Sequence, residues 1–497
     1  MSFSRVHTAQ PGVLRGDIVT IDADLSRGLH SFTLVGLAGK AVEESRDRVS
    51  AAIKNSGFRS PKSTNHKITI SLAPADLKKE GPIFDLPIAI AYLLASGDVR
   101  AETAQTILIG ELALDGSLRS VRGVLPIAQA AREHGYKEII VPRQNAREAA
   151  LISGIVVFPA KTLADVIRHL DKTREDHAKL SSQKPTPIDD NWTQTHIRLE
   201  DIKGQESAKR GLMIAAAGRH NVIMVGPPGT GKTMLARAFQ GILPPLSHEE
   251  ALEVTAIHSL TRSPQNVITS CPPFRTPHHS ASHTSLVGGG TYPKPGEVTL
   301  AHRGVLFMDE FPEFDRRSLD VLRQPLEDRV VTISRVQGSA LFPADFILIA
   351  AMNPYRGSED GTTDYSAAVR DTYKEKISGP ILDRIDLWLE VPHVPYDVLT
   401  KTNSTNDETK KTREIIIAAR TRQKKRLAGR GITTNANMSS RDVEETVPLK
   451  KEVQEILRAS SKKLNLSPRS YHRVIKVSRT IADLDQSDQV ETRHVLE

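Results

Sequence analysis

Residues Gly226 to Thr233 read GPPGTGKT, preceded by the apolar run Val222 to Val225 and followed by a helix-like stretch from Thr233. The eight residues fill the pattern G-x-x-x-x-G-K-[ST] in the strand-to-helix setting that gives the pattern its meaning. Gly226, Pro227, Pro228, Gly229, Thr230 and Gly231 form a loop whose backbone N–H groups can approach phosphate oxygens. Lys232 can reach the outer phosphates of a nucleotide such as ATP, and the Thr233 hydroxyl suits Mg²⁺. A strand, a glycine loop and a helix in that order predict an α/β fold with a mainly parallel sheet.

Downstream, Gly304 to Glu310 (GVLFMDE) is a short buried-strand pattern ending in two carboxylates. Alone, such a pair reads as a helix N-cap; after this loop, Asp309 suits Mg²⁺ and Glu310 suits the base that polarises an attacking water. The next apolar run, Phe346 to Ala351, ends at Met352 and Asn353. Asn353 fits either a turn before Pro354 or an amide that orients water and phosphate. In SGPILDRIDLWLEVP, residues 378 to 392, Arg384 lies between Asp383 and Asp386. It fits either a structural salt bridge or an arginine finger acting on a neighbour's nucleotide.

The chain has 497 residues, a formal charge of +8 and one cysteine. A single cysteine excludes an intrachain disulfide framework and points to a reducing, cytoplasmic setting. The longest apolar run, Leu86 to Ala95, is about half of the ~20 residues a spanning helix needs, so no membrane association is expected. Polar residues 172–198 read as a linker. They divide the chain into an N-terminal domain, 1–171, a nucleotide-binding core, 199–395, and a helical region, 396–497. The helical region holds a net +7 of the charge, and its stretch 401–430 has ten basic and three acidic residues. That surface reads either as a solvated face or as one that meets a polyanion.

GPPGTGKT, GVLFMDE, AAMNP, SGPILDRIDLWLEVP and SPRSYHRVIKVSRTIADL together resemble the magnesium-chelatase-like branch of AAA+ ATPases, and within it the ComM/YifB family, over nearly the whole chain. The resemblance implies a P-loop core with a helical C-terminal lid and a nucleotide-clamping box at Ile202 to Gln205. It implies Asn353 as the first sensor, Arg384 as a finger acting in trans, and Arg469 as the second sensor with Arg473 as its fallback. It also implies a ring of six copies, driven by ATP and Mg²⁺ on branched or single-stranded DNA during integration of transforming DNA. The N-terminal domain resembles the α+β, ribosomal S5-like fold of the Lon proteolytic domain. The positions of Lon's serine and lysine fall at Ile83 and near Leu125, so peptidase chemistry is not expected.

Two departures from the family pattern stand out. A cysteine-rich insert usual after the first sensor is replaced by the cysteine-free residues 354–376, and the sequence stops at ETRHVLE, a little earlier than the family pattern and inside what reads as a helix, either short or incomplete. The loop Phe274 to Gly290 carries His278, His279 and His283 beside Arg275. It reads as a mobile loop, a weak metal site, or a channel-lining loop in which Arg275, His278 and Lys294 meet phosphate. With aromatics at 4% of the chain, any DNA grip is expected to be electrostatic and nearly sequence-blind, centred on Arg420 to Arg430 and especially Lys424, Lys425 and Arg426. A protein-remodelling ATPase, supported by Tyr292 near the glycine loop, is the alternative. A chelatase subunit ranks below it.

Overall fold

A computed structural model describes residues 3–188, 197–261, 270–289, 294–335, 338–353, 377–399 and 407–497. The chain divides into two compact units. One comprises Met1–Asp189 with His248–Thr269, the other Asp190–Ser247 with Ser270–Glu497.

The first unit is built on strands β1 (Phe3–Pro11), β2 (Gly16–Arg27), β3 (Ser31–Val35), β4 (His66–Ala73), β5 (Thr106–Leu108), β8 (Glu138–Pro142) and β9 (Val156–Ala160). They form one mixed sheet in the order β3-β4-β2-β1-β5-β8-β9, and β6 (Glu111–Leu112) and β7 (Leu118–Arg119) make a separate ribbon. β1 pairs antiparallel with β2 and parallel with β5. The apolar helix Asp85–Ser96 is buried along most of its length. Its first residue, Asp85, is fully buried; Arg48 Nε donates to it at 2.8 Å and the Leu112 amide at 3.2 Å.

Two expected boundaries shift here. The start of the linker, residues 172–188, lies along the first unit, with Leu180 and Ile188 packed on its core. The Gln183 amide donates to Val157 O at 2.8 Å and the Thr186 amide to Ala150 O at 2.9 Å. An extended strap held by backbone bonds has no helical or strand periodicity, which is why it reads as a linker. The stretch His248–Thr269, expected in the nucleotide-binding core, belongs to the first unit. Its helix His248–Ser259 buries Val254, Ala256 and Ile257, and the two ends of the excursion meet where the Leu246 amide donates to Ser270 O at 3.0 Å.

The second unit holds β10 (Val222–Val225), β11 (Phe274–Arg275), β14 (Val305–Met308), β17 (Ile347–Met352) and β18 (Leu387–Glu390), in the order β11-β14-β17-β10-β18. Every pairing in this sheet is parallel. Both faces of a parallel sheet are covered, so its central strands are continuous apolar runs. All of β14 and β17 is buried. Two short ladders accompany the sheet: β12 (Gly288–Gly289) with β13 (Lys294–Pro295), and β15 (Val330–Arg335) with β16 (Gly338–Pro343).

The C-terminal region is helical, as its composition predicts, but it is not set apart. Ile416 and Ala419 on the helix Glu408–Arg426, and Ile481 and Leu484 on the helix Pro468–Leu484, complete the core under the parallel sheet. Leu427, Met438, Val443, Leu457 and Ile475 form a smaller core of their own. The last helix is short, Thr492–Leu496. Among the described residues, no helix is long and apolar enough to cross a membrane.

Candidate functional site

The glycine loop leaves the C-terminal end of β10, pinched between its neighbours. The Gly226 amide donates to Met352 O at 3.3 Å, and a Cβ on Gly226 would lie 2.1 Å from Val391 O, so no side chain fits. Thr230 Oγ1 ties the loop by donating to Pro227 O at 2.9 Å, while Pro228 and Gly229 are exposed at its crest. Gly231, at φ +92°, turns the chain into the helix Lys232–Ile242 in a conformation that favours glycine. The first N–H groups of that helix therefore open on the loop.

Lys232 is buried, and its Nζ donates to Gly226 O at 2.6 Å and Pro227 O at 2.7 Å. Burial lowers its pKa, opposed by the charge of Asp309. Thr233 Oγ1 donates to Asp309 Oδ2 at 2.8 Å, so a hydroxyl and a carboxylate meet beside the lysine. Hard oxygen donors of this kind, next to a phosphate-binding loop, fit Mg²⁺ chemistry. The two halves of the site, 76 residues apart, are joined because β14 and β10 flank β17, with Met308 opposite Ala350 and Val225 opposite Met352. Asn353 follows Met352 at this same edge and is exposed. Gln205, at φ +62°, donates from Nε2 to Pro392 O at 2.6 Å, just beyond the residue that pinches Gly226.

Glu310 has φ +51°, a left-handed conformation uncommon for a residue with a Cβ. Its amide donates to Asp309 Oδ1 at 3.0 Å, and its side chain turns toward His279, whose Nδ1 lies 3.2 Å from Glu310 Oε2. His279 in turn packs against His278, with ring centroids 4.1 Å apart. Sequence reading missed the His279–Glu310 pair. Phe274 pairs with Val305 in the parallel register, and His279 and Glu310 each lie five residues further on.

The other arginines occupy the opposite end of the sheet. Asn221, just before β10, clips the N-terminal ends of three strands together. Its Nδ2 donates to Arg384 O at 3.0 Å, its Oδ1 accepts from the Leu348 amide at 2.9 Å, and its carbonyl accepts from the Leu387 amide at 3.0 Å. Arg384 therefore sits before β18, whereas Lys232 and Glu310 lie beyond the C-terminal ends of their strands, a strand length of ~13 Å away. Arg384 pairs with Glu327, and Arg469 Nη1 lies 3.6 Å from the other oxygen of that carboxylate. The residues expected to act on nucleotide thus fall into two clusters, with Arg384, expected to act in trans, and Arg469 in the second. Arg473 is half-buried, with its Nη1 donating to Ile385 O at 2.8 Å and its Nε 3.2 Å from Asp386 Oδ1.

Beside this cluster lies a cavity of about 440 Å³ with Asp345 in its wall. Burial pushes the Asp345 carboxyl up, but Arg219, Arg329 and Arg303 outweigh burial and hold it at about 2.

Several expected nucleic-acid contacts are otherwise engaged. Arg275 donates from Nε and Nη2 to the Glu297 carboxylate at 2.6 and 2.8 Å, which leaves little of its fork for phosphate. Lys294 is exposed, and Gly290, Tyr292 and residues 354–376 lie outside the described residues. His283 opens the short helix His283–Val287, and no group of three or more potential metal ligands occurs among the described residues. On the helix Glu408–Arg426, Arg420 donates to Ala216 O at 2.6 Å, and Arg426 donates to the fully buried Asp483 at 2.6 Å. Lys424 and Lys425 are exposed. In the first unit, Ile83 and Leu125, at and near the positions where the Lon resemblance places its serine and lysine, are buried.

Comparison with known proteins agrees with this architecture. The family described as magnesium chelatase, subunit ChlI, matches residues 198–399, with related matches at 21–145 (subunit ChlI of Mg-chelatase) and 406–497 (the ChlI C-terminal region). The chain is 43% identical over 504 residues to competence protein ComM of Haemophilus influenzae, covering 100% of this chain and 97% of that protein. It is 44% identical over 505 residues to YifB of Escherichia coli, covering 100% of this chain and 96% of that protein. A shorter similarity, 24% over 164 residues, covers 31% of this chain and 21% of a Lon protease from Buchnera aphidicola. Full-length identity at this level, together with the P-loop core and its helical C-terminal region, makes the chain a member of the ComM/YifB family of magnesium-chelatase-like proteins.

Proposed function

We propose that the chain is an ATP-hydrolysing motor that acts on DNA as a ring of identical copies, six in the family pattern. Family membership supports the ATPase part. In this reading the loop Gly226–Thr233 and the box ending at Gln205 hold ATP, and Thr233 and Asp309 hold its Mg²⁺, which supplies charge neutralisation at the phosphates. Glu310 accepts a proton from the attacking water, and Asn353 orients that water from the edge of β17.

The observation that carries the ring is the separation of the two clusters. Arg384 and Arg469 stand at the end of the sheet opposite their own phosphate loop, a placement suited to the nucleotide of an adjacent copy. An arginine supplied in trans is worth ~10³ to 10⁵ in rate. The name of the Haemophilus relative, a competence protein, supports a setting in competence, and the family resemblance implies DNA as the substrate and branch migration during integration of transforming DNA as the activity. Lys424 and Lys425 supply a sequence-blind contact to the phosphate backbone. The first unit, with Ile83 and Leu125 at the dyad positions, is read as a non-peptidase assembly or docking element. Measuring ATP turnover with a four-way junction, with single strands and with an unfolded protein tests the substrate. Stimulation by DNA, lost as salt is raised, is expected; stimulation by the unfolded protein alone would replace DNA with a protein client.

A further inference from the structure

Glu327 has no place in the chemistry above, yet it contacts both arginines of the second cluster. It lies on the helix Arg323–Asp328, with its side chain about half exposed, and one carboxylate oxygen takes Arg384 Nη2 while the other lies 3.6 Å from Arg469 Nη1. The rest of the Arg384 fork is confined. Nη1 donates to Pro380 O, and Nε is buried with no hydrogen-bond partner among the described residues. Two guanidinium groups converging on one anion is the geometry that binds phosphate.

The surroundings leave Glu327 as the exchangeable member of the cluster. Arg473 is committed to Ile385 O and Asp386, and Arg219 and Arg303 to Asp345, at 3.2 and 2.9 Å. Glu327 also lies close in sequence to the β15–β16 hairpin. Two residues after it, Arg329 (φ +58°) turns the chain into β15, and the Ala344 amide donates to Arg329 O at 2.7 Å, closing the base of the β15–β16 hairpin. Leu341 on β16 is 60% exposed, so the hairpin offers an apolar side chain to a ligand.

We propose that Glu327 is an internal surrogate for the phosphate of an adjacent copy's nucleotide. It holds Arg384 and Arg469 within their own chain until that phosphate displaces it, and displacement of the β15–β16 hairpin carries it away from them. Glu327 is thus a positioning residue, and its latch presupposes a nucleotide site shared between copies.

The test uses the full chain carrying Lys232→Ala, which disables its own phosphate loop, and measures binding of inorganic triphosphate by calorimetry. Glu327→Gln should tighten binding about five-fold, the scale of a competing half-exposed ion pair. Glu327→Asp, which keeps the charge, should restore much of the competition, and adding Arg384→Ala should abolish the gain. Unchanged triphosphate affinity in Glu327→Gln overturns the latch. The shared-site reading then still stands if Arg384→Ala in the otherwise native chain abolishes ATP turnover. If Arg384→Ala leaves turnover intact, the shared site and the latch fail together.

Discussion

At Glu310 a carboxylate in a left-handed turn sits beside the Thr233–Asp309 pair, and the proposed chemistry depends on its accepting a proton. Glu310→Gln keeps the shape and removes the basicity. It should lower ATP turnover by ~10² or more while ATP binding, measured with a fluorescent analogue, is retained. Retained turnover would remove Glu310 from the role. Asp345 makes a different prediction. Its folded value of about 2 lies below the ordinary aspartate value of 3.8, so its stabilising contribution is present above the unfolded value and fades as pH falls from ~4 toward 2. The linkage amounts to about 2 kcal/mol. Asp345→Asn also leaves three guanidinium groups without their carboxylate. Urea unfolding should therefore show a loss of ~2 to 4 kcal/mol at pH 7 that shrinks below about pH 4, and a pH-independent difference would refute this account. Residues inside a motif were legible from sequence as candidates: Lys232, Thr233, Asp309 and Glu310 each fall in one, and the structure brings Thr233 and Asp309 into contact. His279 and Glu327 were not, because a parallel strand register and a tertiary ion pair, rather than any local pattern, bring each to its partner.

Among the elements, the helix Glu408–Arg426 shows how far charge counting reaches. Its composition marks a basic surface, but a guanidinium that caps a backbone carbonyl and one that faces solvent count alike in a net charge. Arg420 and Arg426 turn inward, and Lys424 and Lys425 remain on the surface. Reversing Lys424 and Lys425 to Glu should weaken DNA binding and reduce its salt slope by ~2 with basal ATPase unchanged. Reversing Arg426 instead places a carboxylate against buried Asp483 and should cost ~3 to 5 kcal/mol of stability, read as a lower melting temperature. If Arg426→Glu left stability intact and weakened DNA binding alone, Arg426 would be a surface contact after all. The β15–β16 hairpin was legible in principle from its alternation, with Val331 and Ile333 buried and Thr332 exposed between them. The strap at 172–188 was not, since backbone bonding leaves no trace in side-chain pattern.

For the molecule as a whole, the parallel sheet of the second unit could be read from its apolar tetrads and the loop between them, because burial on both faces demands such runs. The excursion of His248–Thr269 into the first unit could not, because a helix with little one-sided apolar pattern does not name the core it joins. The central claim is that Lys232 and Arg384, at opposite ends of one sheet, work together only across two copies of the chain. Mixing two full-length variants, Lys232→Ala and Arg384→Ala, and measuring ATP turnover tests it most directly. Each variant alone should be inactive. Their equimolar mixture should recover about a quarter of native turnover, since random assembly pairs an intact loop with an intact arginine at that frequency. A mixture as inactive as its components, in assemblies shown to exchange subunits, would contradict the shared site.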